Sequence, residues 1–172
     1  LANGTDPTAS PATIPPLTLP GPEVSESIID QFLATKRKAT TLIVLDVSGS
    51  MNGERIRTAT QATAEFLDSF EPQDRVGLMA FNDEVSTISG IRPMSEVAET
   101  LRATVLNLVS GGGTNMNGAI CRATQALRVA AEMDRAAGEN RVYGIILLSD
   151  GADTSGEVSD TRMFNECLKT GA

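Results

Sequence analysis

Two stretches constrain this chain more than any others: TLIVLD at 41–46 and VYGIILLSD at 142–150. Each carries no apolar–polar alternation until it ends in polar groups closed by an aspartate. A strand exposed on one face alternates, whereas an unbroken apolar run suits a strand covered on both faces. Such strands belong to a mostly parallel sheet with helices packed on both sides. The sequence therefore predicts an α/β fold, and the segments between the two runs supply the remaining strands and helices.

A helix is expected from about 53 to 70, with Ile56, Thr63, Phe66, Leu67 and Phe70 inward, Asn52 available as its cap, and Glu71-Pro72 as its stop. A strand follows at Arg75–Phe81. Asn82 and Asp83 read as a tight turn into a short antiparallel strand near 85–89. A second helix spans 95–109, with Val97, Leu101, Val105 and Leu108 on its core face. The loop SGGGT at 110–114 leads to a third helix, 117–137, with Ile120, Ala123, Leu127 and Ala130 inward and Gly138 as its stop. A last helix begins near Thr161. Residues 1–22 hold six of the eight prolines and read as an extended linker. Residues 23–39 read as a lead-in helix through Val24, Ile28, Ile29, Phe32 and Leu33, with Ser25 or Ser27 as its cap, and 40–172 as the α/β domain.

Sheets of this kind bind ligands beyond the carboxyl ends of their central strands, where the polar groups of this sequence gather. In extended backbone, residues i, i+2 and i+4 face one side. Asp46, Ser48 and Ser50 thus present a carboxylate and two hydroxyls together, with Gly49 permitting a tight bend. If Asp150 ends the neighbouring strand, a second carboxylate lies close. Two carboxylates 4 Å apart repel by roughly 4 kcal/mol at an effective dielectric of about 20, so a proton or a cation must intervene. Small neutral hydroxyls favour the cation, as in the compact oxygen shell of Mg²⁺ or Mn²⁺, with Ca²⁺ as a further option. Thr114, on its glycine loop, offers another oxygen.

Composition removes most competing chemistries. The chain of 172 residues has no histidine, which excludes Ser-His-Asp and Cys-His catalysis and nearly all catalytic zinc sites. A net charge of −8 without any basic concentration argues against nucleic acid and anionic membrane surfaces. No apolar run reaches the roughly 20 residues that span a bilayer, and no signal-peptide pattern opens the sequence. Gly113–Gly118 is followed by Ala119 and is no phosphate loop. Neither Ser48 nor Ser50 sits in a GxSxG elbow.

The pattern Asp46-Val47-Ser48-Gly49-Ser50, a threonine in the loop before the third helix, and an aspartate closing the fourth strand resemble the von Willebrand factor type A domain. The resemblance covers about 40–172 and implies that family's Rossmann-like fold, with helices on both faces of the sheet and one short antiparallel edge strand. It also implies the family's metal-ion-dependent adhesion site. Ser48 and Ser50 would ligate directly, Thr114 directly in an open state, and Asp46 and Asp150 directly or through water. The implied partner is a protein that supplies an Asp or Glu carboxylate to complete the metal shell. The family's sheet continues with two further strands and helices, so the domain is expected to stop short of them and leave the Asp150 strand at an edge. The lead-in GPEVSESIIDQFLATKRKATTLIVLDVSGSM and the tail MFNECLKTG look similar to bacterial proteins in which a solute-binding-type domain precedes a type A domain. That similarity implies an extracytoplasmic setting.

Plainer readings stand beside these. Asp46 would otherwise cap a helix, Ser48, Ser50 and Thr114 would be loop hydroxyls, and Asp153 a turn carboxylate rather than part of a calcium loop with Asp150. An enzyme reading resembles the haloacid-dehalogenase phosphotransferases, with Asp46 as nucleophile and Asp150 and Asp153 on Mg²⁺. That family's general acid, however, falls at Ser48. A structural domain with an empty metal site is a third reading. Cys121 and Cys167 form no CxxC motif and read first as two buried thiols, with a disulfide as the alternative.

Overall fold

The computed structural model describes residues 37–169. The expected linker at 1–22 and all but the last three residues of the expected lead-in helix lie outside that range. Ala39, assigned to the lead-in helix, instead opens the first strand.

Strands β1 (Ala39–Asp46), β2 (Arg75–Phe81), β3 (Val85–Pro93) and β4 (Val142–Leu148) form one sheet in the order β3-β2-β1-β4. β1 runs parallel to both β2 and β4, and β3 is antiparallel to β2. Seven of the eight residues of β1 are buried, which is what its unbroken apolar pattern requires of a central strand. β4 has the same kind of pattern but lies at an edge and is only half-buried.

Helix α1 (Glu54–Phe66) and helix α2 (Met94–Leu106) cover one face, where Ile43, Leu45, Val76 and Leu78 meet Ala64, Leu67, Val97, Leu101 and Val105. Helix α3 (Met116–Ala136) covers the other, bringing Ala119, Ala123 and Leu127 onto Leu42, Val44, Met79 and Phe81. Odd and even residues of β1 thus feed two separate cores, as a strand's period of two dictates.

Three expectations need correction. β3 continues to Pro93, four residues past the expected end, and is the longest strand. Register shifts between Val76 and Leu78 and between Leu78 and Met79 let it keep pairing, and proline is tolerated on an edge strand. α1 begins at Glu54 with Gly53, at φ +79°, as its N-cap in place of Asn52, so the cap forms no side-chain bond. The α1 core face is Thr60, Thr63, Ala64 and Leu67, with the two threonine hydroxyls bonded to Arg57 O and Ala59 O. Phe66, about 100° around the helix from Leu67, is 42% exposed and packs edge-on against Phe70.

The amino end of the sheet is closed by charge. Asp134, buried on α3, pairs with Arg75, lies near Arg141 and accepts a hydrogen bond from the Tyr143 hydroxyl at 2.9 Å. Arg141 also donates to Glu139 at 2.8 Å and to the carbonyls of Ala39 and Gln73.

The two cysteines are joined. Cys121 on α3 is disulfide-bonded to Cys167 in the C-terminal helical turn, Asp160–Arg162 continued by Met163–Leu168. The first reading, two buried thiols, is therefore overturned. The turn folds back on α3, where Arg128 donates to Cys167 O at 2.8 Å, and this brings together cysteines 46 positions apart.

Candidate functional site

Strand order decides where the site sits. From β1 the chain crosses to β2 on one side, while β4 pairs on the other. The crevice between the carboxyl ends of β1 and β4 is therefore a topological switch point, the usual ligand position of an open α/β sheet. Asp46 closes β1, and Asp150 follows β4 by two residues.

Four of the five expected residues are linked there by hydrogen bonds, three of them through side-chain oxygens alone. Asp46 is fully buried; its Oδ1 accepts from the Ser48 amide at 2.8 Å. Ser48 Oγ lies 3.0 Å from Ser50 Oγ, and Ser50 Oγ donates to Asp150 Oδ1 at 2.8 Å. The chain turns through a short 3-10 segment, Gly49–Met51, which carries Ser50 back over the strand end. The arrangement grades from buried Asp46 and Ser48 outward to Ser50 and Asp150 at the solvent-facing rim.

Thr114 lies on the loop that docks against the turn after β1. It is buried, yet among the described residues no hydrogen bond links its hydroxyl to the other four. Its loop is docked through the backbone: Gly111 N donates to Val47 O at 2.7 Å, and Gly49 N donates to Gly112 O at 2.9 Å. Asn82 holds the loop's other side, donating from its side chain to Gly111 O and accepting the Asn115 amide at its carbonyl. Thr154 pairs with Thr114 in both directions, Oγ1 accepting from Thr114 N and the Thr154 amide donating to Thr114 O.

Several participants escaped the sequence reading. Ser149 donates to Asp46 Oδ2 at 2.5 Å; the register Leu45–Leu148 sets Ser149 beside Asp46, but that pairing cannot be known before the sheet order. Arg55 at the start of α1 donates to Asp150 Oδ2 at 2.6 Å and to Ser50 O at 2.8 Å. Asp83, expected only as a turn residue, presses its carboxylate on Gly112 and Gly113: an added Cβ would lie 2.2 Å and 2.5 Å from its oxygens. Asp153 does not join Asp150. Its carboxylate accepts from the Gly156 amide within its own turn, as expected, and also from the Asn117 amide in the first turn of α3.

Residues 41–152 match the family described as the von Willebrand factor type A domain. The chain belongs to that family. The fold agrees: a von Willebrand factor type A protein from Catenulispora acidiphila superposes with a TM-score of 0.64 at 20% identity, over 76% of this chain and 30% of that one. The von Willebrand domain of a type V pilus tip protein from Porphyromonas gingivalis superposes at 0.52 and 20% identity, over 70% of this chain and 40% of that one. Among curated relatives, human inter-alpha-trypsin inhibitor heavy chain H4 is 32% identical over 133 residues. Those residues are 76% of this chain but 14% of that protein. Type A domains are typically adhesion and protein-interaction modules, and among the described residues no helix is long and apolar enough to cross a membrane.

Proposed function

We propose that this type A domain is a divalent-metal-dependent protein-binding module and not an enzyme, with Mg²⁺ (or Mn²⁺, or Ca²⁺) recruiting an Asp or Glu side chain of a partner protein. One observation carries the reading: Ser48 Oγ and Ser50 Oγ stand 3.0 Å apart at the switch point, with Asp150 Oδ1 2.8 Å beyond. Neighbouring oxygens of an octahedral Mg²⁺ shell, at about 2.1 Å from the ion, are roughly 3.0 Å apart. The donor set fits in chemistry too. Among the described residues no three His, Cys, Asp or Glu side chains gather as a metal cluster, so the ion would rest on hydroxyls and at most two carboxylates. Asp46 supports the same reading, being a fully buried carboxylate whose hydrogen-bond partners, the Ser48 amide and the Ser149 hydroxyl, are neutral. Buried charges are ordinarily paired or near a metal.

The residues divide the work. Ser48, Ser50 and Thr114 would hold the ion, Asp150 would face it from the rim, and Asp46 would orient Ser48 and balance charge from beneath. When bound, the metal supplies an electrophilic position open to an external carboxylate. A phosphotransferase using Asp46 as nucleophile is disfavoured, because both Asp46 oxygens are engaged and buried. The disulfide supports the extracytoplasmic setting, since such bonds persist in oxidising compartments. The preceding solute-binding-type domain belongs to the same proposal, and the flanking coding sequence tests it.

Mg²⁺ at about a hundred times its dissociation constant is expected to stabilise the domain by about 2.7 kcal/mol. Ser48→Ala and Asp46→Ala are expected to abolish that gain, as is EDTA. Calorimetric titration with thermal unfolding measures both, and a stabilisation equal in Ser48→Ala and wild type refutes the site.

A further inference from the structure

We infer that Arg55 is a built-in counter-cation for Asp150: it weakens the bare site's hold on a dication and leaves the loaded site with one positive charge in excess. The two oxygens of Asp150 are divided. Oδ1 accepts from Ser50 within the site, while Oδ2 pairs with the Arg55 guanidinium at 2.6 Å. Arg55 is further anchored on Ser50 O at 2.8 Å, so one side chain braces both outer members of the donor set. Its side chain is 64% exposed, against 22% for Asp150. The guanidinium therefore stands at the mouth of the site and is not sealed within it.

The charge count gives this placement its consequence. Asp46 and Asp150 alone would neutralise a dication and remove its appetite for a third carboxylate. With Arg55 counted, the loaded site carries one net positive charge, the complement of a single partner Asp or Glu. At about 6 Å and an effective dielectric between 20 and 80, a monocation and a dication repel by an amount equivalent to tenfold or more in affinity. An exposed position places the effect at the lower end of that range.

This inference rests on the metal-binding reading, and the test separates the two. Mg²⁺ is titrated calorimetrically into wild type, Arg55→Lys, Arg55→Gln and Arg55→Glu, each first shown to be folded by circular dichroism and unfolding midpoint. Acetate is then titrated into the Mg²⁺-loaded proteins and followed by the amide resonances of Gly112–Thr114. Arg55→Gln is expected to bind Mg²⁺ about tenfold more tightly and acetate more weakly. Arg55→Glu is expected to move further in both directions, and Arg55→Lys to restore wild-type behaviour. Failure of wild type to bind Mg²⁺ overturns the metal-binding reading and this inference with it. Binding in wild type with equal affinity across the series overturns this inference alone. Weaker Mg²⁺ binding in Arg55→Gln does the same, since Arg55 would then be only a brace.

Discussion

Asp46 and Tyr143 show how differently single residues betray their roles. Asp46 declares itself by standing where an apolar strand ends, two and four positions before hydroxyls. Tyr143 lies inside an equally apolar run, and only the structure shows its hydroxyl donating to buried Asp134. Burial raises its pKa above 10.0, and the hydrogen bond to Asp134 and that carboxylate's charge raise it further. A raised folded-state pKa means this stabilisation is complete below the unfolded pKa near 10 and is lost as pH climbs through the folded value. The chain has one tyrosine and no tryptophan, so phenolate absorbance reports on this side chain alone. The midpoint is expected above 10 in the folded protein and lower in Asp134→Asn; equal midpoints would show that Asp134 does not hold the phenol neutral.

At the scale of elements, the glycine loop is the part whose sequence says least and whose contacts say most. SGGGT reads as a flexible connection, yet it is bound to the β1 loop, to Asn82 and to Thr154. Gly112 has φ +84°, a conformation costly for residues with a Cβ, and a Cβ there would collide with Asp83. Gly112→Ala is expected to cost about 1–3 kcal/mol in unfolding free energy, and to weaken Mg²⁺ binding by displacing Thr114. Gly111→Ala, where a Cβ meets nothing within 4 Å, is the control. Equal effects of the two in denaturant unfolding and Mg²⁺ titration would remove the claim that this loop is held in one shape.

For the whole molecule, the Cys121–Cys167 bond ties the C-terminal turn to α3. Closing a loop with a sequence separation of 46 stabilises by about 4 kcal/mol if the effect is entropy lost from the unfolded chain. Cys167→Ser, or reduction, is therefore expected to lower stability by about 2–4 kcal/mol in denaturant unfolding, with Mg²⁺ affinity nearly unchanged. An unchanged midpoint would show that the turn contributes nothing to the fold. The cysteines could not be paired from spacing, because bonding depends on how the turn meets α3.

The sequence by itself determined the α/β class, the order of strands and helices, and the oxygen-bearing residues at two strand ends. Those follow from local facts: hydrophobic period, turn chemistry and the same-side rule for alternate residues. Tertiary structure decided the rest. It placed β1 between β2 and β4, set Ser149 against Asp46, brought Arg55 onto Asp150, joined the cysteines and fixed the SGGGT loop. Each of these is a contact between segments far apart in the chain, up to 103 positions for Ser149 and Asp46, and no local periodicity encodes a pairing of that range.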